Sequence, residues 1–442
     1  MKAEDICQLV LATCRTQGVT DTVVAVSQSE NTMIRFSNSE ITVSDIVIDQ
    51  SAYIFVSDAG RRAETSVSDL SKRSLVNAAK KVVDSAKHAP PGDPHEMPKG
   101  PFTYDQKLLE SEPVTMGARN LVSYVKEGVG AAQRQGAERV AGSLIAENGK
   151  VTLQTSAGAF GVARKSSLEL SLRAFLSSVA SGHSVSVAGS EKEFEPDKAG
   201  EEAGRLASMA KDPVNVEPGE YDAILGPMVF ADLINQTGRV ASAFAVDAGL
   251  SFLANRIGQK VASEKLSILD DATVAGSYGS TPFDSEGLPT RRTAIIEGGT
   301  LKSYLHNSST AKKYGVASTA NAGLIAPHPF NLVVEPGSKT LDEMIASVQN
   351  GIYVTNDWYL RYNNYQTGDF STIPRDAMFL VKDGKIERSI KELRISDNML
   401  RILSNVSELS RERKWIRWWE VEVPTLAPTA LVKGLKFTRS RM

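Results

Sequence analysis

Cysteine is nearly absent from this chain: 442 residues hold two, Cys7 and Cys14. Seven residues apart on an expected first helix, they share a face but lie about two turns and roughly 10 Å apart, too far for a disulfide. A disulfide scaffold is thereby excluded, and no thiol set remains to complete a metal site. No apolar run reaches the ~18 residues of a membrane span. Neither sign of charge dominates, since 50 basic and 52 acidic residues leave a net −2. No global field therefore draws the chain to nucleic acid or to anionic lipid. The opening "MKAEDICQLVLATC" sets acidic residues before a short apolar stretch, the reverse of a secretion signal, so a cytoplasmic location is expected. Histidine is scarce too: His88, His95, His183, His306 and His328 include no His-x-x-x-His pair. "HEM" at 95–97 begins like a zinc-protease motif, but Pro98 follows and no second histidine is in reach. It reads as a coincidence in a proline-rich stretch.

What is present is ordered by periodicity. Residues 2–17 are expected to be helical, followed by the alternating segments "TVVAVSQSE", "NTMIRFSNSEITVSDIVID" and "SAYIFVSDAGRRAETSV". The helix "DLSKRSLVNAAKKVVDSAK" closes the unit. Prolines at 90, 91, 94, 98 and 101 make residues 89–101 an extended connector. A helix around 116–135, a second strand set and the helix "DKAGEEAGRLASMAK" then repeat the plan with little identity. The expected fold class is α+β. Residues 1–213 form an N-terminal helix–sheet–helix domain with a diverged repeat over 1–88 and 116–211. Residues 214–442 form a β-rich C-terminal domain with a few helices, among them one over 226–244, one near 246–256 and one near 341–350. Gly298-Gly299 and Asp383-Gly384 read as hairpin turns.

Three stretches carry candidate chemistry. "GPMVFADLINQTGRVASAF" at 226–244 is an amphipathic helix whose apolar stripe holds Val229, Phe230, Leu233, Ile234, Val240 and Phe244. "STPFDSEGLPTRR" at 280–292 gathers Asp284, Ser285 and Glu286. Two carboxylates two residues apart could bind a cation or act as acid and base, or the Asp could bond its own backbone amides in a turn. "RERKWIRWWEVEV" holds Trp415, Trp418 and Trp419 among four basic residues. Such a cluster suits a core or subunit interface, a peptide contact, or stacking on single-stranded nucleic acid. "AGSYGS" at 275–280 lacks the lysine and context of a phosphate loop.

Taken together, "RFSNSEI" (35–41), "STPFDSEGLPTRR" (280–292), "GIYV" (351–354), "TGDFS" (367–371) with "VKDGK" (381–385), and "PTALVKGLKFT" (428–438) resemble the TldD/PmbA family, in order and over nearly the whole chain. "STPFDSEG" resembles the TldE (PmbA) branch. The resemblance implies a zinc metallopeptidase of two related subunits. The TldD-like one carries a His-Glu-x-x-x-His helix and a C-terminal cysteine ligand; the TldE-like one lacks the metal. Registered on Gly238, that motif falls on Ile234, Asn235 and Arg239, none of which can serve as ligand or base there. The resemblance thus implies a non-catalytic subunit that holds no cofactor. Its expected partners are a zinc-bearing TldD-like chain in a heterodimer and unfolded peptides gripped by strand addition, with no nucleic acid and no membrane. Asp284, Ser285, Glu286 and the three tryptophans are candidates for substrate or subunit contact. The alternatives are a self-sufficient metal-dependent hydrolase using another site, such as Asp284 with Glu286, and a peptide-binding homodimer without activity.

Overall fold

The computed structural model describes residues 1–19, 21–93 and 95–439. Pro94 of the connector and residues 440–442 lie outside them. The first half runs α1 (Ala3–Thr16), β1 (Asp21–Ser37), β2 (Glu40–Asp58), β3 (Arg61–Val67) and α2 (Lys72–His88). After a short α3 (Gln106–Leu109), the same sequence of elements returns as α4 (Ala118–Arg134), β4 (Arg139–Thr155), β5 (Phe160–Phe175), β6 (Ser181–Ala188) and α5 (Pro196–Met209). The strands form one sheet in the order β3-β2-β1-β4-β5-β6, with every neighbouring pair antiparallel. Helices α1 and α2 pack Ile6, Cys7, Val10, Leu75 and Val82 against Val24, Ile54 and Val56. Helices α4 and α5 do the same over β4–β6. Cys7 and Cys14 are buried free thiols, pushed up to about 12 and about 11 chiefly by burial, and so are packing groups.

The strands differ from expectation in length. Breaks expected near residues 30 and 50 are absent, and β1 and β2 run 17 and 19 residues. The polar stretch Ser27–Asn31 stays in strand because β2 and β4 flank it, so its backbone is satisfied by ladder whatever its side chains. The reversals lie at Asn38-Ser39 and Ala59-Gly60, where both residues of each pair have positive φ, as tight hairpins require.

The second half is built on its last strand. In chain order it contains β7 (Val214–Asn215), β8 (Gly219–Leu225), α6 (Pro227–Val240), α7 (Ala243–Asp247), β9 (Ile268–Asp271), β10 (Arg292–Glu297), β11 (Thr300–Leu301) and α8 (Ser308–Tyr314). There follow β12 (Leu332–Val334), α9 (Leu341–Ala346), β13 (Asn350–Val354), β14 (Trp358–Asn364), β15 (Asp369–Ile373) and β16 (Met378–Lys382). The closing elements are β17 (Lys385–Lys391), β18 (Leu393–Asn398), α10 (Met399–Ser404), β19 (Val406–Trp418) and β20 (Val421–Arg439). Strand β20 pairs with β8, β12, β18 and β19. Hairpins turn at Gly298-Gly299 and Asp383-Gly384. The fold is thus mixed helix and sheet, with sheet-rich halves. No helix among the described residues is long and apolar enough to cross a membrane.

Three helices are shorter than their patterns, the one expected near 341–350 being α9, which ends at Ala346. Helix α6 stops at Val240, because Ser242 turns extended, bridges to Leu305 and bonds the carbonyl of Pro327. Phe244 therefore leaves the stripe and lies on α7, 46% exposed. The helix expected near 246–256 is reduced to α7, ended by Gly249 in a left-handed conformation.

Candidate functional site

Helix α6 enters through Gly226 and Pro227, whose missing N–H is no loss in a first turn. Val229, Phe230, Leu233 and Ile234 are sealed in the main core with Leu332, Ile352 and Val432. The helix sits so deep that a Cβ on Gly238 would stand 2.5 Å from the Leu332 side chain. Asn235 donates from Nδ2 to the Val423 carbonyl at 2.7 Å, fastening α6 to β20. Arg239 reaches the surface and pairs with Glu422 at 3.2 Å. Zinc takes thiolate, imidazole or carboxylate, and positions 234, 235 and 239 supply none of these, so this donor set does not fit the metal. Among the described residues no three His, Cys, Asp or Glu side chains are grouped as metal ligands.

One turn earlier on α6, Asp232 is fully buried beside Asp357, which precedes β14. Asp232 Oδ1 accepts from Gln236 Nε2 at 3.2 Å, and Asp357 Oδ2 accepts from Thr372 Oγ1 at 3.0 Å. The remaining oxygens, Asp232 Oδ2 and Asp357 Oδ1, are buried without a hydrogen-bond donor. Burial pushes Asp232 up to about 7, and burial with the Asp232 charge raises Asp357 well above its ordinary value. Glu420, at the turn between β19 and β20, adds negative charge to both and accepts the N–H of Tyr359 at 2.9 Å. That bond helps hold Tyr359 at φ +60°, a strained backbone for an aromatic residue.

The 280–292 loop is braced, with little of it on the surface. Asp284 Oδ1 accepts from the amides of Glu286 and Leu288 at 3.0 and 2.9 Å, and Oδ2 from the amide of Ala322 at 3.0 Å. Burial and then the Glu286 charge push Asp284 up to about 8. Glu286 accepts from Ser308 Oγ at 2.7 Å and the Ser308 amide at 3.0 Å. It also meets His95 Nε2 at 3.1 Å. Both carboxylates are thus buried and committed to the chain itself. Half-buried Ser285 lines a cavity of about 550 Å³ with Tyr53, Leu153, Phe283 and Phe330, between the six-stranded sheet and this loop. "HEM" is not idle after all. His95 lies buried between Glu286 and Asp21; burial lowers it, but those two carboxylates outweigh burial and leave it raised. The 89–101 segment has no regular element, yet it is pinned here.

The tryptophan cluster divides. Trp418 is buried and Trp415 half-buried at the seam between the halves, packed with Val185, Val187, Met228 and Ile416. Three of the four basic residues point inward as well, and Arg411 is exposed. Lys414 pairs with Glu202 and Arg417 with Glu169, both on the first half, and Arg413 bonds the Val334 carbonyl. Cations so committed are not laid out for a phosphate backbone. Trp419 alone stands out, 69% exposed beside Tyr359 and Trp358.

Nearby, His183 accepts at Nδ1 from Asn356 and bonds Ser171 Oγ through Nε2 at 2.9 Å. The Asn356 amide is oriented by Asp376, whose backbone N–H it accepts and whose carboxylate it donates to. The proton is therefore on Nε2 and is given to Ser171, the wrong tautomer for a general base. Burial lowers His183 to about 4. With Arg173 bound to Asp376, this network ties β5 and β6 to the second half.

In sequence, the second half is similar to metallopeptidase C-terminal domains. Residues 218–439 match the family described as PmbA/TldA metallopeptidase C-terminal domain, and the chain belongs to the PmbA/TldD family. It is 32% identical over 216 residues to a metalloprotease of Methanothermobacter thermautotrophicus, covering 47% of this chain and 46% of that one. A metalloprotease TldD homolog of Buchnera aphidicola is 31% identical over 51% of this chain and 48% of its own length. A metalloprotease PmbA homolog of Haemophilus influenzae is 30% identical over 47% and 45%. The chain thus spans about half the length of the curated relatives it matches. The solved structure of TldE from Thermococcus kodakarensis superposes with a TM-score of 0.84 at 20% identity, covering 98% of this chain and 99% of that one. A Thermotoga maritima chain gives 0.84 at 22%, over 99% and 100%. At such identity these two likenesses concern the fold.

Proposed function

We propose that this chain is the TldE-like, non-catalytic subunit of a two-chain zinc metallopeptidase. It pairs with a TldD-like chain that holds the metal, and the pair processes unfolded peptides. The observation that carries this reading is α6: Ile234 is sealed in the core, Asn235 is tied to β20, and Arg239 puts a fixed cation where a ligand would stand. Family membership supports the peptidase part. The pairing rests on the resemblance to the TldE branch. A cytoplasmic site of action accords with both.

In this role α6 and the β19–β20 turn form a wall, and exposed Trp419 with Tyr359 offers a contact for the catalytic chain or its substrate. The test is a zinc count with peptidase activity, on the purified chain alone and mixed with a TldD-like subunit. Less than stoichiometric zinc and no cleavage alone, with cleavage in the mixture, is the expected result. One zinc per chain with unaided, chelator-sensitive cleavage would overturn the proposal and favour a self-sufficient hydrolase. Peptide affinity with no gain on adding the partner would overturn it in favour of a binding homodimer.

A further inference from the structure

Strand β2 is longer than its outer neighbour. Strand β3 pairs with it from Ala52 to Asp58 only, whereas β1 pairs with it along its whole length. Residues 40–51 therefore present a free backbone edge, about 40 Å long at a strand's ordinary rise. Every one of residues 40–50 is exposed. Among them Ile46 is 58%, Val47 55% and Ile48 80% exposed. Long edges that expose apolar side chains are what soluble proteins normally cover.

The fold's own repeat shows what such an edge looks like when covered. Strand β5 occupies the equivalent place in the second unit, and β6 pairs with it only from Leu168 to Phe175. Its free half is overlaid from within the chain: Gly161 lies under Phe283, and Arg164 is bridged to Glu110 at 2.6 Å. Nothing among the described residues does this for β2.

The edge has a chemical signature. Between Glu40 and Ser51 there are three carboxylates and no lysine or arginine. Residues 52, 54 and 56 face α1 and α2, whereas 53 and 55 face the other side. By alternation Ile46 and Ile48 fall on the helix side, and Val43, Asp45, Val47 and Asp49 on the opposite one. A strand laid alongside meets apolar groups on one face and alternating valine and aspartate on the other. Opposite charges across a strand pair favour it, and like charges oppose it. Self-pairing of two such acidic edges brings no cation to Asp45 or Asp49.

We infer that residues 40–51 of β2 are a docking edge for an unfolded peptide that adds as a strand and carries basic residues, two apart from apolar ones, on one face. This rests on the reading that the chain handles unfolded peptides, and it names the class: basic-apolar, extended, sequence-tolerant elsewhere. Backbone ladder supplies affinity, and Asp45 and Asp49 supply the preference.

The test is fluorescence anisotropy on the full chain alone, with the blocked, labelled peptide Val-Thr-Lys-Val-Val-Val-Lys-Thr and its counterpart with Glu for Lys. The Lys peptide is expected to bind at least about tenfold more tightly than the Glu peptide, more so at low salt. Asp45→Lys/Asp49→Lys should reverse that preference, and Ile46→Ser/Ile48→Ser should weaken the Lys peptide about tenfold. These side chains are exposed, and circular dichroism checks that each variant is folded. No binding, equal binding of both peptides, or a preference unchanged by charge reversal overturns the inference. Neither zinc nor a partner enters this measurement, so it fails or succeeds separately from the activity test.

Discussion

Replacing Asp232 by Asn should remove one pH-sensitive step from the core of the second half. Burial holds Asp232 at about 7 against an ordinary 3.8. Between those values the unfolded chain has released the proton that the folded chain still keeps. Stability therefore falls as pH rises: the contribution is complete below the unfolded value near 4 and gone above about 7. Three units at about 1.4 kcal/mol each set an upper bound of about 4 kcal/mol. An asparagine keeps the shape, accepts from Gln236 through Oδ1 and has no proton to lose. Asp270 and Asp284, raised by burial to about 7 and about 8, titrate alike in both proteins and cancel in the comparison. Urea unfolding of both proteins at mildly acidic and mildly alkaline pH gives the double difference. The variant should be near neutral in acid and gain about 2–4 kcal/mol on the wild type in alkali. Parallel pH profiles would refute a proton held on Asp232.

Arg417→Met should cost about 3 kcal/mol, since it leaves Glu169 buried without its cation, and should open the seam to limited proteolysis. A melting temperature and digestion pattern like the wild type's would mean that the pair carries nothing. Asn235→Ala removes the tie from α6 to the Val423 carbonyl, and a loss of about 1–3 kcal/mol is expected in denaturant unfolding. A loss near zero would make α6 independent of β20. Trp419→Ala should leave stability within about 0.5 kcal/mol, the side chain being exposed, yet weaken association with a TldD-like chain by about 2 kcal/mol in calorimetry. Unchanged affinity would remove Trp419 from that interface.

Local signals carried much of the architecture. Alternation located the sheet strands, glycine turns located two hairpins of the second half, and a 3.6-residue stripe located α6. The stripe could not reveal where α6 ends, because Ser242 is drawn out by Leu305, far along the chain. Charged pairs were illegible for the same reason. His95 meets Glu286 across 191 residues, and Arg417 meets Glu169 across 248. A hint did exist, in that Glu169 sits in an apolar stretch, "SSLELSL", where a carboxylate must find a cation or lose its charge. "RERKWIRWW" was legible as a core or interface segment, and the strand that bears it is the seam between the two halves; its inward pairing with Glu202 and Glu169 was not.

The degenerate helix also follows from packing. A metal ligand must keep lone pairs pointed at a shared space, so its side chain cannot simultaneously fill the core. Here position 234 has gone over to the core, and position 235 to a hydrogen bond with the neighbouring strand. Position 239 has gone to a surface ion pair. Each change gives the helix a structural contact where a ligand would have had to stay uncommitted. Gly238 meanwhile keeps the helix pressed on Leu332, so the backbone is held close to β12 without any metal. In the proposed role, a wall made this way gains rigidity from positions 234 and 235. Such rigidity would suit a subunit that shapes another chain's chamber, since a substrate strand can be held in register only against a surface that does not yield.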